Sequence, residues 1–190
     1  MPSFRHRLTR AQQRIYDRSE ATSAIPLRPT SRLLAAVRAL PGILLSADRP
    51  RIEVVSQAIA DEICAVLRVA PLRVTVSQTR PSNARGELHG LYTPPHAGRR
   101  ATIQVWMMTA KRVQVVAFKA YLRTLLHEIC HHLDYQLLRL PDSFHTDGFY
   151  RRESSLFHQI GGDSAARNPP ARLARRAAPQ RSIATRAALQ

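Results

Sequence analysis

The sequence predicts an α+β fold: two helices, a small sheet of about three strands packed with them, a long central helix and a short last one. Three observations carry this prediction. The hydrophobic period changes from helical to alternating and back along the chain. A run of about thirty residues, from Ala110 to Leu140, keeps an amphipathic helical pattern until Pro141 ends it. No apolar run reaches the roughly 18 residues of a membrane span, and the longest, Leu33 to Leu45, is interrupted by Arg38 and Pro41.

The elements follow in order. Residues 32–46 and 51–69 form two helices; in the second, Val54, Val55, Ile59, Ile63, Val66 and Leu67 recur at helical spacing and Pro50 suits the first turn. LRVTVSQ at 72–78 alternates and is β-branched, GELHGLYT at 86–93 is a second strand, and ATIQVWM at 101–107 is the clearest third. The last strand is expected to present an open edge. The central helix carries Val113, Val116, Phe118, Leu122, Leu126, Ile129, Leu133 and Leu137 on its apolar stripe. A final helix spans Gly148 to Ile160, with Thr146 or Asp147 as its N-cap and Gly161–Gly162 as its stop.

Composition narrows the class. The 190 residues are 44% hydrophobic, ordinary for one globular domain with tails. The formal charge is +16, yet about ten of those charges fall in residues 1–32 and 163–190, so the region between is mildly basic. The chain divides into a basic, partly ordered segment at 1–31, a domain at 32–162 and a disordered basic tail at 163–190. The tails offer contact to nucleic acid. Neither Cys64 nor Cys130 belongs to a disulfide framework or a cysteine zinc site, and both read as core. The N-terminus lacks the apolar stretch of a secretory signal, which places the protein in the cytoplasm with no membrane partner.

The chemistry lies in HEICH, His127 to His131. An HExxH string arises by chance in roughly one chain in a hundred or two. This one sits inside an amphipathic helix, after a strand and before a loop that holds another histidine. On a helix His127 and His131 lie one turn apart and about 40° around the axis, so both imidazoles can reach one ion. Glu128 flanks them at about 100°, where a carboxylate can take a proton from a water and deliver it to a leaving amine. Zinc normally takes three protein ligands in such sites. His145, fourteen residues after His131, is the preferred third. Asp134 is its rival but reads better as an acceptor that orients an imidazole, and Asp147 and Glu153 are weaker candidates. Tyr150, Tyr135 or Arg151 can stabilise an oxyanion. His132 reads as a surface or packing residue and Trp106 as packing.

Residues 86–160 resemble the SprT-like (Spartan-like) zinc metallopeptidases. The resemblance rests on the strand ATIQVWM, the helix bearing His127, Glu128 and His131, and His145 followed four residues later by Phe149. It implies a zincin-like fold, Zn2+ held by His127, His131 and His145, water activated by Glu128, and a protein or peptide substrate. Thr146 stands where that family usually has glycine, and the two cysteines make no zinc ribbon. What carries over is therefore peptidase chemistry and not a repair role. The alternative is a nucleic-acid-associated protein with a structural or silent zinc site.

Overall fold

The computed structural model describes residues 4–84, 86–161 and 163. It is a mixed α+β fold of five α-helices and a three-stranded sheet, with a further two-stranded pair. After a short 3-10 turn at Phe4–Arg7, helix α1 (Arg10–Ala21) starts at a capping box: Thr9 and Gln12 each bond the other's backbone N–H through their side chains. Ile25 and Leu27, on the segment that follows, are buried. Helix α2 (Ser31–Leu45) begins where the Thr30 hydroxyl accepts from Leu33 N at 3.0 Å. Helix α3 (Arg49–Leu67) begins at the Asp48 cap, with Pro50 in its first turn where its missing N–H costs nothing. Leu33, Val37, Leu40 and Leu44 of α2 and Ile52, Ile59 and Ile63 of α3 fall at helical spacing and are buried in one core.

The sheet runs β1 (Arg73–Thr79), β5 (Thr102–Met108), β4 (Gly90–Thr93), with β5 parallel to β1 and antiparallel to β4. Strand β5 is therefore central, flanked on both sides, and the open edge expected at 101–107 belongs instead to β4. Burial explains the placement: Ile103, Val105, Trp106 and Met107 are all buried, as a middle strand requires. The strand expected at 86–93 is broken in two. Gly86–Glu87 (β3) pairs with Ser82–Asn83 (β2), while β4 joins the main sheet after Leu88 and His89. Opposite β4, the other edge is covered by α3 side chains. Gln57 Oε1 accepts from Val74 N at 2.7 Å, its Nε2 donates to Leu72 O at 3.0 Å, and Glu53 Oε2 accepts from Val76 N at 2.8 Å.

The central helix is shorter than the sequence suggests. Helix α4 spans Phe118–Gln136, not 110–140. Residues before it extend the sheet: Val116 N donates to Met107 O at 2.8 Å, Met108 and Val115 form a bridge, and Val113 is exposed with φ +49. Val116 matched a helical stripe by spacing yet bonds the sheet, as the β-branched side chain tolerates well. At the other end the chain turns at Arg139, with φ +52, as Leu138 N bonds Leu133 O and Leu140 N bonds Asp134 O. Helix α4 packs on β4 and β5, its Leu122, Leu125, Leu126 and Ile129 buried in the shared core, and meets α3 where Tyr121 Oη and Ser56 Oγ lie 2.9 Å apart. Helix α5 (Asp147–Gln159) is capped by Thr146, whose hydroxyl accepts from Phe149 N at 3.0 Å, and it packs between α4 and α1. Of the expected tail at 163–190, all but Asp163 lies outside the described residues.

Candidate metal centre

Helix α4 presents His127 and His131 one turn apart, and the loop from Leu137 to Thr146 returns His145 over them. The geometry converges on one point. His145 Nε2 lies 3.0 Å from His127 Nε2 and 3.1 Å from His131 Nε2. A tetrahedral ion with bonds of about 2.0–2.1 Å spaces its ligand nitrogens by about 3.3 Å, so the three can hold a metal with small adjustments. Beneath them the fully buried Phe149 ring packs 4.8 to 5.2 Å from all three imidazole centroids.

The far nitrogens define the tautomers. His127 Nδ1 faces Glu153 Oε2 at 3.3 Å, and that carboxylate also meets Arg123 Nη1 at 3.3 Å. His131 Nδ1 lies 2.7 Å from Ser143 Oγ, which donates to Asp134 Oδ2 at 2.8 Å. With Nδ1 protonated and donating, each Nε2 keeps its lone pair for an ion. Burial, reinforced by the charges of His127 and His145, pushes His131 down to about 3, and burial also lowers His145. Both are thus neutral, as ligation requires.

Glu128 lies on the β4 side, 6% exposed, and accepts from the Tyr92 backbone N–H. Burial raises its carboxyl to about 7, against the pull of His127 and the Tyr92 amide. Gly90 makes this position possible, because a Cβ there would fall 2.8 Å from Glu128 Cγ and Cδ. A cavity of about 320 Å³ joins the parts, bounded by Gly90, Leu91 and Tyr92 of β4, Glu128, the three histidines and Tyr135. A larger cavity, about 600 Å³, shares none of these residues and has Arg73, Arg99 and Arg100 on its walls.

The other expected residues separate clearly. Asp134 is fully buried and acts on His131 through Ser143, while its second oxygen takes Arg152 at 2.8 Å. Glu153 supports His127, and Asp147 is an exposed first-turn residue of α5. The exposed Tyr150 ring stacks 5.9 Å from His145, whereas Arg151 does not line the cavity. His132 is buried, its Nδ1 3.1 Å from Tyr92 Oη and its Nε2 2.7 Å from Ala70 O, so it packs and has no surface role. Cys64, Cys130 and Trp106 are core. Ser143 and Gly90 escaped the sequence reading; only an isolated glycine in a strand hinted at a close approach.

What fold and site define is an α+β protein with a three-histidine group able to hold a metal ion. No family model, curated protein or solved structure matches the chain. No helix among the described residues is long and apolar enough to cross a membrane.

Proposed function

We propose that this chain is a zincin-like, zinc-dependent metallopeptidase similar to the SprT-like enzymes. The observation that carries the reading is the meeting of three Nε2 atoms with a water-shielded carboxylate in one cavity. His127, His131 and His145 hold the zinc and Glu128 is the base. Zinc, when bound, supplies Lewis acidity toward water and a peptide carbonyl. Glu128 takes the proton of the attacking water and passes it to the departing amine nitrogen. The outer edge of β4, where Glu128 already takes the Tyr92 N–H, aligns an extended peptide across the cavity through its remaining backbone groups, and Leu91 meets its side chains. Tyr150, beside His145, is the available donor to a developing oxyanion, since the Tyr135 hydroxyl on the cavity wall is engaged with Asp142.

Elemental analysis and cleavage of an unstructured protein test this reading together. Wild type and Glu128→Gln should each hold about one zinc per chain, His145→Ala should lose it, and wild type alone should cleave. A wild type that takes up no zinc would overturn the reading.

A second reading, a nucleic-acid-associated zinc protein, draws on the larger cavity. Arg73, Arg99 and Arg100 make no ion pair among the described residues, and the nearby Asp61 already accepts from Gln57. This reading expects oligonucleotide binding that weakens steeply with salt, survives Glu128→Gln, and is lost when the three arginines and the basic tails are removed.

A further inference from the structure

We infer that the metal centre is built into the N-terminal helix: Ser143, Asp134 and Arg152 are positioning residues for His131, and α1 is the frame on which they rest. The inference rests on metal binding at the three histidines and is independent of peptidase activity.

His131 can offer Nε2 to an ion only if its proton sits on Nδ1 and has an acceptor. Ser143 Oγ is that acceptor, at 2.7 Å. A hydroxyl has one proton, and this one is committed to Asp134 Oδ2 at 2.8 Å, so Ser143 turns a lone pair toward the imidazole. The ionised carboxylate can only accept, so it dictates the orientation of the hydroxyl and, through it, the tautomer of the ligand.

A carboxylate that is 0% exposed keeps its charge only when it is paired, and Arg152, equally buried, donates Nη2 to its other oxygen at 2.8 Å. The two terminal nitrogens of that guanidinium are also held at the end of α1. Its Nη1 donates to the carbonyls of Ser19, at 2.6 Å, and Thr22, and its Nη2 donates to Ser19 Oγ at 2.9 Å. These carbonyls stand at the C-terminal end of α1, where the helix dipole favours a cation. The line of bonds therefore runs from ligand imidazole to serine, carboxylate, guanidinium and helix terminus without a gap.

The same helix end also grips the third ligand's loop. Ser19 Oγ lies 3.2 Å from Thr146 Oγ1, next in sequence to His145, and Gly148 N donates to Glu20 Oε2 at 2.9 Å. Gly148 leaves no room to spare: a Cβ there would fall 2.5 Å from the Glu20 carbonyl oxygen and nearer still to that of Ser19. Two of the three ligands thus depend on the seat of α1, one through its hydrogen bond and one through its backbone. Docking of α1 and metal affinity are coupled, and the coupling is reciprocal.

The test uses the full chain and zinc alone, with affinity read by competition against a chromophoric chelator. Ser143→Ala leaves the Asp134–Arg152 pair intact and should weaken zinc binding about 10- to 100-fold, with Ser143→Thr restoring most of it. Gly148→Ala, which touches no ligand, should weaken zinc while retaining the native circular dichroism. Nitrogen shifts of the imidazoles in zinc-free protein supply a separate readout: His131 should be the Nδ1–H tautomer in wild type and a mixture in Ser143→Ala. Wild-type zinc affinity and tautomer unchanged in Ser143→Ala would overturn the inference, whether or not Gly148→Ala folds. A wild type that binds no zinc would instead count against the metal site, and the tautomer measurement would still decide the role of Ser143.

Discussion

Glu128 is an acid held away from water by the strand beside it, and its proton affinity is a stability term. Between about pH 4.5 and 7 the folded, metal-free protein keeps a proton that the unfolded chain has released. This contribution is fully present below about pH 4.5 and is lost as pH rises through about 7. Its ceiling is about 3 kcal/mol. Metal-free Glu128→Gln, which cannot ionise, should therefore match wild type near pH 5 and become the more stable of the two by pH 8. His131 and His145 work in the opposite sense, since their depressed pKa values add stability that is lost as pH falls, but they are common to both proteins. Urea unfolding at three pH values checks this; a difference that stays constant across them would show that the carboxyl is not held in its acid form. A bound dication lowers the same pKa, so loaded protein has the base ready at neutral pH. At this scale His127, Glu128 and His131 were legible from spacing on a helix, because i, i+4 geometry is local. Ser143 and Gly90 were not, because their partners lie 12 and 38 residues away in sequence.

Among the elements, α4 is positioned by what surrounds it. Its apolar stripe was readable, its start was not: Val113 and Val116 fit the helical spacing, but Val113 adopts φ +49 and the Met107 carbonyl takes the Val116 N–H. The strand order had the same character. Alternation marks a strand but does not say which neighbour it takes, and β5 became central because one face is buried and both its edges found partners. The edge of β1 is protected by two side chains of α3. Gln57→Ala and Glu53→Ala should each cost about 1 kcal/mol by leaving the backbone of Leu72, Val74 or Val76 short of a partner, with zinc affinity unchanged. Thermal unfolding with a parallel chelator titration measures both, and a loss of zinc would mean that β1 and the site are linked in a way the packing does not suggest.

In the whole molecule, two ligands come from α4 and the third from the irregular loop that leads to α5, so an ion ties α4 to that loop. On the proposed function, zinc at about a thousand times its dissociation constant should add about 4 kcal/mol, or about 10 °C in Tm, and a chelator should remove it. Calorimetry with and without chelator measures the shift. An unchanged Tm in a protein that holds zinc would mean that the ion also binds the unfolded chain. What the sequence determined by itself was the α+β class, the HExxH helix and His145 as a candidate ligand, because periodicity and one-turn spacing are properties of neighbouring residues. Tertiary structure alone decided that β4 and not β5 borders the cavity, that Asp134 reaches His131 through Ser143, and that α1 anchors Arg152. Those outcomes depend on which distant surfaces bury one another, and no local pattern along the chain records that choice.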